Sequence, residues 1–233
     1  DTFLNTNEAY FNAGVHKAPF NETTCKEINE WVKDHTDGMI KNILDEISED
    51  AMLYLINALS FDAEWENIYK ENSVIEGQSF TKEDGTKQKM TLMYSEESTY
   101  LEDKLATGFV KYYKDKKYAF VALLPKEGVT MQEYAEHLDE ENFRKLMSDA
   151  KTTTVNAALP KFETEYDILL NDVLMQMGME EAFSPSTADF SKMATCAGGN
   201  LYISRVLHKT FIAVDEKGTK AGAATVVEMA KYS

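Results

Sequence analysis

The sequence predicts an α+β fold. Runs of strand character and hairpins alternate along the chain with a few amphipathic stretches at helical spacing, and neither a repeat of 20–50 residues nor a linker of changed composition divides it. Its 233 residues suffice for one or two ordinary domains with a sizeable core. With 43% hydrophobic and 27% charged residues, four prolines and no low-complexity tract, the chain has the profile of a globular protein rather than a disordered one.

Residues 1–13 carry Phe3, Leu4, Tyr10 and Phe11 among polar residues and read as the tail of a helix stopped by Gly14. Residues 15–20 read as a short strand with Pro19 near its end. Thr24 and Glu27 have capping-box spacing, Ile28, Trp31, Val32 and His35 follow at helical spacing, and Gly38 suits a C-terminal cap, so an amphipathic surface helix is expected there. Residues 52–61 are the most apolar run of the first half, of a length that suits a central strand buried on both faces. Asn57 lies inside that run, and a buried amide needs a specific hydrogen-bond partner.

Phe80 opens a polar turn at 81–85, where Asp84-Gly85 favours tight geometry. Residues 90–93 read as strand and 95–104 as loop, with Tyr100 and Leu101 available to an edge. Strands are expected at 109–113 and 118–124, joined by a hairpin at 114–117; Lys114, Lys116 and Lys117 form a tight basic cluster there, at a solvated tip. Residues 131–147 are amphipathic, as one helix or two short ones. The β-branched run 152–159 ends at Pro160, and 167–177 is a helix with the stripe Leu169, Leu170, Val173, Leu174 and Met177, capped by Gly178. A loop at 197–199 precedes the last long strand, 201–214, which Arg205, His208 and Lys209 interrupt.

The net charge of −16, from 40 acidic and 24 basic residues, speaks against nucleic-acid binding, which would need a local basic patch. No run reaches the roughly 18 apolar residues of a membrane span. Cys25 and Cys196 suffice for one bridge but make no disulfide framework or metal spacing. The chain begins at Asp1 without a methionine, so the lack of a signal peptide carries no information on secretion. There is no Gly-x-Ser-x-Gly elbow, no His-Glu-x-x-His pair, no phosphate loop and no Gly-x-Gly-x-x-Gly, so an enzyme is not expected. A lone histidine such as His208, within a strand pattern, is by default a satisfied core residue.

The stretch 215–233 is the most informative. Glu216-Lys217-Gly218-Thr219 reads as a polar turn. Beyond it Thr219, Ala221, Ala223, Thr225, Val227 and Met229 share one side of an extended chain, and Lys220, Gly222, Ala224, Val226 and Glu228 the other. Lys220 and Glu228 then face one way, with the opposite face small or apolar, as in a strand packed on one side. The leading residues are too small to anchor anything, so a mobile loop is open to the segment as well as a strand.

Residues 216–225, Glu-Lys-Gly-Thr-Lys-Ala-Gly-Ala-Ala-Thr, resemble the hinge of the reactive-centre loop of serpins, the serine protease inhibitors. The resemblance extends over nearly the whole chain. Residues 27–32 followed by 36–40 are similar to the helix that lies across the front of the serpin sheet. Ile56-Asn57-Ala58 with Phe61 and Trp65 is similar to the strand that enters the region where the loop first inserts, although Asp62-Ala63-Glu64 stands where the family usually has Lys-Gly-Lys. Leu159-Pro160-Lys161-Phe162-Glu163, Met179-Glu180-Glu181-Ala182-Phe183 and Asp189-Phe190-Ser191 resemble further family passages.

The resemblance implies a serpin fold with a large central mixed β-sheet, further sheets and surrounding helices. It places residues 1–233 in part of a single domain, without the family's N-terminal helical portion and C-terminal strands. It implies an extracellular or secreted protein that is a suicide inhibitor of an extracellular serine protease: the loop is cleaved, the protease is caught as an acyl-enzyme, and the hinge inserts into the main sheet. Glu216, Gly218, Thr219, Ala221, Ala223, Ala224 and Thr225 would form the hinge, with Thr219 entering first. Asn57, Trp65 and His208 match the family's sheet-opening gate, where the asparagine and histidine belong to a hydrogen-bonded cluster. The family's usual loop length, seventeen residues from Glu216, sets the reactive bond at Tyr232-Ser233, which suits a chymotrypsin-like protease; Lys231 as bait would suit a trypsin-like one. The other implied partner is the C-terminal segment of the same cleaved protein. No metal, cofactor, nucleic acid or membrane is implied, and the monomer carries a polymerisation hazard. The alternative is a non-inhibitory serpin that binds or chaperones, with an inert loop.

Overall fold

The computed structural model describes residues 2–194, 196 and 199–232. In chain order its helices are α1 (Thr2–Phe11), α2 (Glu22–His35), α3 (Met131–His137), α4 (Glu140–Ser148) and α5 (Asn171–Leu174). Its strands are β1 (Ala51–Glu64), β2 (Val74–Thr81), β3 (Lys87–Glu102), β4 (Ala106–Tyr112), β5 (Ala119–Pro125), β6 (Lys151–Pro160), β7 (Phe162–Leu169), β8 (Asn200–Val214) and β9 (Gly218–Tyr232). The α+β expectation is met by two sheets: one of four strands in the order β1-β9-β8-β7, and one of five, β2-β3-β4-β5 with β6 also paired to β3.

Contacts group the chain into two units. The first comprises Asp1–Ser60, Thr164–Phe211 and Ala221–Ser233. Its main core packs Cys25, Ile28 and Val32 of α2 and Ile40, Ile43 and Leu44 of the following loop against Ala224 and Val226 of β9. The helix starts where Asn21 caps it, its side chain accepting from the Thr23 and Thr24 amides, and not at the expected Thr24–Glu27 box. Asn29 fixes the returning loop: its amide donates to the Leu44 carbonyl at 2.7 Å and its oxygen accepts from the Ile43 and Leu44 amides. A second core joins Leu201, Ile203 and Val206 of β8 and Met229 of β9 to Leu170 and Leu174 at the start of α5.

The second unit comprises Phe61–Glu163 and Ile212–Lys220. Strand β3 is its spine. Met93 pairs with Val74 on one flank and Leu159 on the other, and Thr99 with Val110 and Thr152. All of these pairings are antiparallel. Lys111 of β4, 1% exposed, is neutralised by Glu97 of β3 at 2.6 Å and lies over the Tyr69 ring. A buried lysine needs such a partner, since an unpaired buried charge is costly.

Four sequence expectations are corrected. Residues 15–20 form no strand, Pro19 and its neighbours leading irregularly into the Asn21 cap. Residues 95–102 belong to a strand and not a loop, and β2 was not anticipated; β2 is a largely exposed strand paired to the next one, β3, and the polar part of β3 pairs with the distant β6. Residues 167–169 extend β7, so helix α5 begins only at Asn171, whose side chain bridges the Ser204 carbonyl and Val206 amide. Strand β1 is an edge of its sheet among the described residues, with Met52, Leu55, Asn57 and Leu59 exposed, and is not buried on both faces. The basic hairpin is solvated as expected, Lys114 and Lys116 reaching Glu64 and Glu66. Ala197 and Gly198 of the expected 197–199 loop lie outside the described residues. Both described cysteines are free thiols.

Candidate functional site

Of the two placements open to the C-terminal segment, the structure has the strand. Residues Gly218–Tyr232 run as β9 between β1 and β8. The small residues of the segment explain why it fits: a Cβ on Gly218 would come 2.1 Å from the Ala63 carbonyl oxygen, and one on Gly222 3.0 Å from Met39 Cβ. Ala221 and Ala223 are half-buried, and Ala224 is fully buried beneath α2.

The alternation is as expected, but the better-buried face is the other one. Gly222, Ala224, Val226, Glu228 and Ala230 are buried, whereas Ala221, Ala223, Thr225 and Val227 are half-exposed. Lys220 does point out, 62% exposed and 3.5 Å from Asp62. Glu228 does not: it is 2% exposed. Its Oε2 accepts from the Tyr54 hydroxyl of β1 at 2.7 Å and from Arg205 Nε of β8 at 2.8 Å, and its Oε1 accepts from Ser204 Oγ at 2.8 Å. Arg205 also donates to the Glu46 carbonyl at 2.9 Å. Burial and the adjoining carboxylate push the Tyr54 phenol far up, so it stays protonated and donates to Glu228. Burial works against the Arg205 charge, but Glu228 more than offsets it and the guanidinium is held above its usual range.

The turn before β9 is fastened in the second unit. Trp65 is 1% exposed and stacked on Tyr113 at 4.7 Å. Its indole N–H donates to the Asp215 carbonyl at 2.9 Å and its amide to the Lys217 carbonyl at 2.8 Å. Asp215 in turn accepts from the Lys217 and Gly218 amides. Glu216 pairs with Lys161 at 2.6 Å, which holds the Glu216 carboxyl below the usual range. Such a half-exposed pair contributes about 0–1 kcal/mol. Thr219 is 3% exposed, and its hydroxyl has no partner at hydrogen-bonding geometry among the described residues. The neighbouring Tyr113 phenol is pushed up by burial.

His208 of β8 meets Thr225 of β9, Nδ1 to Oγ1, at 2.8 Å. Asn57 is exposed and among the described residues its amide has no hydrogen-bond partner, which corrects the expectation of a buried, satisfied amide. The cause is the sheet order: β9 occupies the lane between β1, which carries Asn57, and β8, which carries His208. His208→Ala should therefore weaken this arrangement by the roughly 0.5–1.5 kcal/mol of one hydrogen bond. The melting temperature should fall by about 2–4 °C per kcal/mol, and an unchanged melting curve would refute it. Lys231 is anchored through its amide to the Asp50 carbonyl, and Tyr232 is 55% exposed. Ser233, the other half of the expected reactive bond, lies outside the described residues. Among those residues no cluster of His, Cys, Asp or Glu could hold a metal.

These features define a protein whose strand-like terminal segment is built to occupy a lane in a sheet. Residues 1–233 match the family model described as serpin (serine protease inhibitor), and the chain belongs to that family. It is a family of inhibitors, not of enzymes. Serpin B10 of Otolemur garnettii is 33% identical over 240 residues, covering 97% of this chain and 59% of that protein. The chain thus spans about three fifths of the length of that relative. A serpin solved as a loop C-sheet polymer is 48% identical with a TM-score of 0.90, covering 100% of this chain and 60% of that one. The thermophilic serpin tengpin in its latent state is 48% identical with a TM-score of 0.91, covering 99% and 64%. In its native state the figures are 45% and 0.81, covering 90% and 54%. The fold is therefore the serpin-like α+β fold with its central mixed sheet and flanking helices. Among these neighbours, native, latent and polymeric forms are seen.

Proposed function

We propose that the protein is a suicide inhibitor of serine proteases that works by cleavage of the segment after β9, covalent trapping and insertion. The observation that carries this reading is β9 itself, a fifteen-residue strand that opens on mostly small residues and lies between β1 and β8. In the proposed reaction the protease serine attacks the Tyr232 carbonyl carbon, the Tyr232–Ser233 peptide bond breaks, and the new amino terminus of Ser233 leaves with its proton. Tyr232 stays joined to the protease as an ester. Insertion of Gly218–Tyr232 then drags the ester across the sheet and distorts the catalytic geometry, where small misplacements are costly.

Tyr232 as bait favours a chymotrypsin-like target, and Lys231 a trypsin-like one. The cleaved C-terminal segment remains the second partner. The gate role of Asn57, Trp65 and His208 belongs to the same proposal. A non-inhibitory binding protein is less well supported, since positions 221 to 224 carry only Ala and Gly and would tolerate bulk if they never had to enter a sheet.

The test mixes the full-length protein with chymotrypsin and separately with trypsin, followed by denaturing gels and mass spectrometry of the released peptide. A complex that survives denaturant is expected with chymotrypsin, with a peptide that begins at Ser233. A peptide that begins at Tyr232 would move the bait to Lys231. Clean cleavage without a complex by either enzyme would overturn the inhibitor reading.

A further inference from the structure

We propose that Glu228 is the locking residue of the inserted strand: Tyr54 of β1 and Arg205 of β8 grip its carboxylate from both flanking strands and so determine that the far half of β9 stays in the sheet. The proposal rests on the reading of β9 as an insertion segment, and it assigns to one side chain the depth of insertion.

The near and far halves of β9 are held by different physics. From Thr219 to Val226 the segment offers small and apolar side chains, and Ala224 and Val226 reach 1% and 0% exposure against α2. The charge in that half, Lys220, points out to Asp62 at 3.5 Å, and none is buried there. Two residues beyond Val226, on the same buried face, comes a carboxylate. Taken into a sheet without partners it would oppose insertion, because an uncompensated buried charge costs more than its burial returns. Here it finds three donors, the Tyr54 hydroxyl, Arg205 and the Ser204 hydroxyl, at 2.7 to 2.8 Å. Arg205 is itself steadied by the Glu46 carbonyl, and the Tyr54 ring is braced edge-on by Phe20 at 5.3 Å. Donors on both neighbouring strands mean that the carboxylate is satisfied only when the strand lies fully between them. A charged residue at this position thus separates partial from complete insertion, where an apolar one would grade between them.

The experiment follows amide hydrogen exchange of the full-length protein after its loop has been cleaved. In the unmodified protein, residues 219–226 and 227–231 should both gain protection. Arg205→Met should leave 219–226 protected while 227–231 exchange at least tenfold faster. Adding Glu228→Leu to Arg205→Met should restore protection of 227–231, which a loss of general packing would not do. Tyr54→Phe, which keeps the ring and removes one donor to a charged acceptor, should speed exchange of 227–231 roughly tenfold, and it serves where Arg205→Met fails to fold. Full protection of 227–231 in Arg205→Met or Tyr54→Phe would overturn the lock alone. No gain of protection in either half of the unmodified protein would overturn the insertion reading and the lock with it.

Discussion

Thr219→Arg should convert the protein from an inhibitor into a substrate: its loop is still cut, but no complex survives denaturing gels. Thr219 is the first side chain of β9 beyond the fastened turn, and it is 3% exposed beside Tyr113. A guanidinium there would replace a buried neutral side chain with a buried charge. An uncompensated buried charge costs about 3–5 kcal/mol, which is a factor on the order of a hundred to several thousand in any competition between insertion and hydrolysis of the ester. The cost falls on the first residue to enter, before the burial of Ala224 and Val226 can offset it. Thr219→Val supplies the control. It keeps the branched shape and removes a hydroxyl that is buried without a hydrogen-bond partner, so trapping should be unchanged or improved. A complex with Thr219→Arg as durable as that of the unmodified protein would end the insertion account.

How far this arrangement can be read from the sequence depends on how local its causes are. The strand character of 218–232 is legible because its cause is local: the alternation beyond Thr219 is compatible with an extended chain, while its reading as a hinge comes from the resemblance of residues 216–225 to that of serpins. Helix α2 is legible because Ile28 and Val32 repeat at the helical period. Strand β2 and the polar part of β3 are not, since Glu96, Glu97 and Ser98 read as loop until β6 pairs beside them and Lys111 neutralises Glu97. The faces of β9 were separable by parity, but parity does not say which one is buried. That is decided by Met39, Ile28 and Val32 of the covering layer, and it inverts the expectation for Glu228. The burial of Glu228 depends on Tyr54, 174 residues away, and no spacing rule connects the two. Asn57 shows the same limit: its exposure follows from the place of β1 at the edge of its sheet among the described residues, which no local pattern indicates.

Trp65→Ala should produce the largest loss of stability among single changes in the second unit. The side chain is 1% exposed, stacked on Tyr113 and met edge-on by Phe120 at 5.8 Å. Truncating a buried aromatic to alanine costs about 3–5 kcal/mol in transfer and cavity terms. At about 2–4 °C per kcal/mol for a protein of this size, the melting temperature should fall on the order of 6–20 °C. Trp65→Phe separates packing from hydrogen bonding. It retains most of the ring contact and loses the N–H that holds the Asp215 carbonyl, at a cost of about 1–3 kcal/mol for the orphaned group. Both variants should free the turn at 215–218, because the indole bond ties its first carbonyl. Amide exchange at Lys217 and Gly218, whose N–H groups the Asp215 side chain accepts, should therefore accelerate in Trp65→Phe even though little packing is lost. If those amides exchange as slowly as in the unmodified protein while the melting temperature falls, Trp65 is a packing residue alone. If they speed up, the tryptophan also holds the turn at 215–218 through its hydrogen bond.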